Sequence, residues 1–224
     1  MPTKARQHQL QDNICYHIIN RGNRRLKIFH DHEDYTTFKM ILERYTSEKE
    51  MILYHYSLIP NHYHLECEIP IPERISSVIG GINRAYSHYY HKRYKTAGYL
   101  WQGRFLSRPV EKEEYSLWCG AYIEMNPVRA KMTTFPEEYQ YSSAKYYILG
   151  EEDDILTEDP NFSRFGNTIT ERQINYRDFL LSDSNNKDSL VAKKVIGSKK
   201  FQNKLRKKSG RWLPRRKGIP GFVL

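Results

Sequence analysis

Two histidines one residue apart, His62 and His64, stand at the head of the alternating stretch HYHLECEI (62–69), just after Pro60-Asn61. On an extended strand they point to the same side with α-carbons about 7 Å apart, while Tyr63 points to the other side. Two imidazoles so placed can converge on one divalent cation. The same short pattern also fits two strand histidines hydrogen-bonded to their neighbours. Farther along, Tyr122 and Asn126 in AYIEMNPVRA (121–130) are four residues apart and so share a helix face, where the Asn amide oxygen can ligate a hard cation. A phenol beside a cation that grips a phosphate can attack phosphorus, because the cation neutralises phosphoryl charge and assists a nucleophile whose free pKa is about 10. Tyr122 also belongs to the helical stripe Tyr115, Trp118, Cys119, Tyr122, Met125, of the kind that packs on a sheet, and it is one of 18 tyrosines.

The elements that must position these groups follow from periodicity. CYHIINR (15–21) is β-branched and alternating, a strand closed by Gly22-Asn23. Asp31, followed by Glu33 and Asp34, reads as the N-cap of a helix with Tyr35, Phe38, Ile41, Leu42 and Tyr45 at helical spacing. MILYHYSLI (51–59) and HYHLECEI (62–69) then form a hairpin across Pro60-Asn61. Residues 73–94 carry Ile75, Val78, Ile79, Ile82 and Tyr86 on one helical face, weakened at Gly80-Gly81. GRFLSRPV (103–110) reads as a strand, and 112–130 as a helix that Pro127 must kink or end. The order β-α-β-β-α-β is the split βαβ, or ferredoxin-like, arrangement: an α+β fold with an antiparallel sheet, helices on one face and the other face left for a ligand. We expect a domain over 1–148 and, from the acidic, turn-rich EEDDILTEDP onward, a linker or lid followed by a mainly helical basic extension over 149–224.

Composition narrows the function. The 224 residues are 39% hydrophobic, enough for a core, and neither a membrane-length apolar run nor a secretory signal is present, so a cytoplasmic, non-membrane protein is expected. Cys15, Cys67 and Cys119 are odd in number and lack zinc-like spacing, which makes them core thiols. The net charge of +10 is not spread evenly: residues 187–224 hold 13 Lys and Arg against Asp188 alone, leaving residues 1–186 at −2. Such a segment gains affinity for a polyanion by counterion release, and Phe201 and Trp212 within it could stack on bases. A basic tail that merely aids solubility has the same composition.

Taken together, these motifs resemble those of a known family. Ile59-Pro60-Asn61 followed by His62-Tyr63-His64 is similar to the HUH motif of single-tyrosine transposases, with Tyr63 where Val or Ile is more usual, and AYIEMNPVRA is similar to their tyrosine helix. LWQGRF (100–105), YQYSS (139–143) and the GRWLPRRKGIPG end resemble the branch of REP-associated tyrosine transposases, the likeness covering residues 13–147 well and the tail loosely.

The resemblance implies a metal-dependent enzyme that nicks and rejoins single-stranded DNA beside hairpins such as repetitive palindromic elements. His62, His64 and Asn126 would be metal ligands, for Mg²⁺ or Mn²⁺, with zinc compatible on ligand type. Tyr122 would be the nucleophile that forms a 5′-phosphotyrosine and frees a 3′-hydroxyl. For DNA contact the candidates are Arg21, Arg24, Arg25 and Lys27 after the first strand, Arg84 with Asn83, His88, His91, Lys92 and Arg93 on helix 73–94, then Gln102, Arg104 and Arg108, and Lys207, Arg211, Arg215 and Arg216 in the tail. Nucleoid association, and a monomer or a homodimer sharing helices in trans, are both compatible, and the tail either binds DNA or covers the site, held by residues 152–154. Two other classes fit parts of the pattern: a hairpin-binding protein without catalysis, and a metal-dependent hydrolase using activated water, with Glu66 or Glu68 as base or extra ligand.

Overall fold

The computed structural model of the protein describes residues 14–182 and 195–209. The alternating CYHIINR forms β1 (Cys15–Arg21). α1 (His32–Ser47) begins at Asp31, whose carboxylate accepts from the Asp34 amide and so satisfies one donor that the helix cannot. β2 (Ile52–Ile59) and β3 (His62–Glu68) make the hairpin, α2 (Ile75–Tyr94) crosses back, and β4 (Leu106–Val110) completes the sheet. β4 is shorter than 103–110 because the chain before it pairs elsewhere: Trp101 bridges Gly22, and the Gln102 amide donates to the Arg21 carbonyl over 2.9 Å. The order is β2-β3-β1-β4 with every pair antiparallel, the expected split βαβ topology.

The helix expected over 112–130 divides into α3 (Glu114–Glu124) and α4 (Asn126–Arg129). Pro127 sits in the first turn of α4, where its missing N–H leaves no helical bond unmade.

Alternation sorts the sheet into two faces. On one, Ile18, Leu58, Tyr63 and Leu65 are buried against Phe38 and Leu42 of α1 and Ile79 and Ile82 of α2. Each such side chain contributes about 1.5–3 kcal/mol. The opposite face, expected to be left for a ligand, is instead largely covered by α3, whose Cys119 and Ile123 pack with Cys15, Tyr54 and Val110. Cys15, Cys67 and Cys119 are all buried free thiols.

Strand β2 carries one irregularity that matters below. Leu53 pairs with Cys67 but His55 pairs with Glu66, so Tyr54 is an extra residue, a β-bulge, and both Tyr54 and His55 face α3.

The acidic stretch expected to be a linker or lid lies packed on the sheet edge: the Thr157 amide donates to the Leu53 carbonyl over 2.8 Å, and Ile155 and Phe162 are buried. α5 (Ala144–Leu149) and α6 (Ile169–Leu181) enclose a small core of Tyr147, Phe162, Tyr176 and Leu180 behind α3. Beyond residue 194 the chain returns to β4, with Ile196 bridging Val110 in parallel, and α7 (Lys199–Ser209) buries Leu205 while Lys199, Lys200 and Lys204 face solvent. Among the described residues no helix is long and apolar enough to cross a membrane.

Candidate active site

The register of the sheet places one face of three strands under α3. Arg21 pairs with His62, Ile19 with His64, and Glu66 with His17, which in turn pairs with Arg108 on β4. His62 and His64 therefore share this face, as period-two alternation requires, with ring centroids 4.9 Å apart. Above them, the Tyr122 ring stands edge-on to His64 at 5.9 Å and to His17 at 5.8 Å. Asn126 begins α4, and its amide nitrogen donates to the carbonyls of Tyr122 and Ile123 over 2.9 and 3.1 Å. Those two bonds orient the amide and leave its oxygen as the group available to a cation.

The imidazoles suit metal ligation. Burial, with Arg21 nearby, pushes His62 down to about 4, and burial, with His62 and His17, holds His64 well below the usual histidine value, so both are neutral at pH 7 with a lone pair to offer. His62 Nδ1 donates to the Asn61 side chain over 2.5 Å, which directs its Nε2 lone pair outward. His64 Nδ1 lies 2.9 Å from His17 Nε2, and His64 Nε2 is buried with no hydrogen-bond partner. An orphaned nitrogen of this kind is what a metal ligand leaves when described without its ion. Among the described residues no group of three His, Cys, Asp or Glu is arranged for a metal, so a third protein donor would have to be of another type, as the Asn126 amide is.

Three arginines ring the tyrosine. The Arg129 guanidinium lies 4.2 Å from the centre of the Tyr122 ring and donates to the Tyr122 carbonyl. Arg21 and Arg108 each lie within electrostatic reach of Tyr122. Burial holds the Arg21 guanidinium below its ordinary value, and its Nε is buried without a hydrogen-bond partner. Positive charge from these arginines therefore acts on the phenol.

Comparison with known proteins bears on what such a site is for. The model of the family described as "Transposase IS200 like" matches residues 10–126, more than half of the chain. The chain belongs to the IS200-like transposases. The fold of this transposase is similar to that of a solved REP-associated tyrosine transposase bound to a REP hairpin, at a TM-score of 0.57 and 16% identity, over 71% of this chain and 93% of that one. No curated protein matches it.

Within the transposase, the remaining sequence candidates separate. Arg24, Arg25 and Lys27 are exposed on the loop after β1, which is tied to the segment bearing Gln102 and Arg104 by hydrogen bonds from Gln102 to Arg21 and from Asn23 to Leu100. These five, with Arg21, lie at one end of the sheet, next to His62. Arg84 is exposed on α2, on the far side of the sheet from the histidines, and is not brought to the site. Lys207 belongs to α7, while Arg211, Arg215 and Arg216 lie outside the described residues. His17 and Arg129 were not singled out from sequence. Strand alternation in CYHIINR carries the signal for His17 only once β1 is known to pair with β3, and Arg129 is two helical turns beyond Tyr122.

Behind α3 lies a second polar group with no solvent access. His55 Nδ1 is 2.8 Å from Glu124 and its Nε2 is 3.5 Å from Asp159. Burial alone would push His55 down, but the Asp159 and Glu124 carboxylates lift it to about 10. The folded chain thus holds a proton that an unfolded His, at about 6.5, releases, so this contribution is complete below pH 6.5 and is lost as pH rises towards 10. Thermal stability is expected to fall across that window by up to about 1.4 kcal/mol per pH unit. Melting curves of wild type and His55→Gln at pH 6.5 and 9.5 check this: the difference between the two pH values should shrink in the variant.

Proposed function

We propose that this transposase is a metal-dependent single-stranded DNA endonuclease and strand transferase acting beside DNA hairpins, in the manner of the REP-associated branch. The observation that carries the reading is the placement of the Tyr122 ring against His64, whose Nε2 is buried and unpartnered. His62, His64 and the Asn126 amide oxygen would hold a Mg²⁺ or Mn²⁺ ion. When bound, the cation supplies charge neutralisation at the scissile phosphate.

The chain's own residues do the rest. Arg21 and Arg108 draw the phosphate to the phenol, and Arg129, against the ring face, steadies the ring. The Tyr122 oxygen bonds to phosphorus as the bond from phosphorus to the 3′ oxygen breaks. The phenol loses its proton and the departing 3′ oxygen gains one, giving a 5′-phosphotyrosine and a free 3′-hydroxyl. Attack by a different 3′-hydroxyl reverses the step and joins strands without ATP, because the phosphodiester energy is kept in the covalent link. Tyr122 and both histidines belong to one chain, so a monomer suffices for cleavage. A water-using hydrolase is less well supported, since Glu66 is fully buried and engaged by Ser116 over 2.6 Å.

The loop after β1 and the Gln102–Arg104 segment would take the hairpin, with Lys207, Arg211, Arg215 and Arg216 adding contacts to the backbone. Arg24 and Arg25 have φ of 51° and 62°, a left-handed conformation that disfavours side chains, and such strain is a mark of functional loops. Replacing both by Gly relieves the backbone and removes two charges. Stability should change by less than about 1 kcal/mol, whereas hairpin affinity should fall with a salt slope shallower by about two. Binding isotherms at several salt concentrations read both quantities.

The direct test is to incubate the protein with Mn²⁺ or Mg²⁺ and a labelled hairpin oligonucleotide carrying a single-stranded flank. A covalent protein–DNA adduct on a denaturing gel, formed only with metal, is the expected result. Tight binding with no cleavage under either metal would overturn the reading in favour of a hairpin-binding protein.

A further inference from the structure

The residue between the nucleophile and the amide of the site is Glu124, fully buried and turned towards His55. Its carboxylate accepts from Ser143 Oγ over 2.6 Å and from Tyr176 Oη over 2.9 Å, besides its 2.8 Å contact with His55. Two turns earlier on α3, Ser116 Oγ lies 2.9 Å from Asp159, which closes the group by its own approach to His55. Gly120 is what lets the helix come this close: a β-carbon there would sit 2.6 Å from His55 Nε2. A buried carboxylate with three partners has one low-energy pose, and a helix residue fixed in rotation fixes its neighbours two positions either way. Those neighbours are Tyr122 and Asn126. Tyr176 and Asp159 come from residues beyond 149, so the segment that packs behind α3 grips the helix at its catalytic turn.

We propose that Glu124 is a positioning residue for Tyr122 and Asn126, and that the segment from Asp159 to Tyr176 is a brace of the cleavage apparatus rather than an accessory. This rests on the cleavage reading above. The test compares Glu124→Gln, Tyr176→Phe and, as a control, Tyr139→Phe, which loses its buried hydrogen bond to the Leu58 carbonyl away from α3. Adduct formation is followed at saturating hairpin DNA and metal, at a temperature where circular dichroism shows every variant folded, and hairpin affinity is measured separately. In Glu124→Gln and Tyr176→Phe the single-turnover rate should fall on the order of 10- to 100-fold, as expected for a misplaced reacting group, with affinity unchanged. Tyr139→Phe should keep the wild-type rate. Wild-type rates in both Glu124→Gln and Tyr176→Phe, or an equal loss in the control, would overturn the proposal. A wild-type chain that forms no adduct would instead overturn the cleavage reading, and this inference with it.

Discussion

In Tyr122→Phe the covalent protein–DNA adduct is expected to be absent while hairpin binding is retained. The substitution is narrow: the ring keeps its edge-on contacts with His17 and His64 and its place over the Arg129 guanidinium, and only the attacking oxygen is lost. Removing a covalent nucleophile costs on the order of 10⁴- to 10⁶-fold in rate, far below what a gel detects. Among the described residues Tyr122 is the tyrosine whose ring contacts His17 and His64, so a neighbouring phenol is not placed to take over. The adduct should also require metal in wild type and reappear in no metal condition in the variant. Cleavage that survives Tyr122→Phe and leaves a free 5′-phosphate would show that water is the nucleophile.

Local pattern was enough to read much of this molecule. The β1 range, the Asp31 cap and the break before Pro127 depend on neighbours in sequence, and alternation alone put His62 and His64 on one face. What could not be read depends on register and on a helix finding its sheet. His17 becomes part of the site because β1 lies between β3 and β4, which sets it beside both Glu66 and Arg108. The bulge at Tyr54, which turns His55 towards α3, leaves no mark in MILYHYSLI. Glu124, not singled out within AYIEMNPVRA, is buried where Ser143 and Tyr176 converge on it from 19 and 52 residues away. The acidic EEDDILTEDP suggested a linker or lid by composition, yet Asp159 near its end is buried and held below the usual carboxylate range: burial alone would raise it, but the nearby protonated His55 prevails. Arg84 illustrates the opposite failure. It is charged and exposed, but α2 packs on the face remote from the histidines.

His64→Gln should reduce metal-dependent adduct formation on the order of 10³-fold or more, and His17→Leu should raise the Mn²⁺ concentration needed for half-maximal cleavage about 10- to 100-fold, the range typical of a residue that orients a ligand. The argument runs through one proton. For His64 to present a lone pair at Nε2, its Nδ1 must carry the hydrogen and donate it to His17 Nε2, 2.9 Å away. His17 then carries its own hydrogen on Nδ1, which is buried and without a partner, an arrangement that costs about 1–3 kcal/mol and is retained at the site. Leu at position 17 fills the space but accepts nothing, so His64 is free to take the other tautomer. Gln at position 17 restores an acceptor, and His17→Gln should recover part of the metal affinity that His17→Leu loses. A structural role in packing alone predicts the reverse, because Leu would then be the better tolerated of the two. Cleavage titrated against Mn²⁺ for both variants, with hairpin binding measured without metal, separates these outcomes. An unchanged Mn²⁺ midpoint in His17→Leu would mean that His64 keeps its tautomer without help from β1.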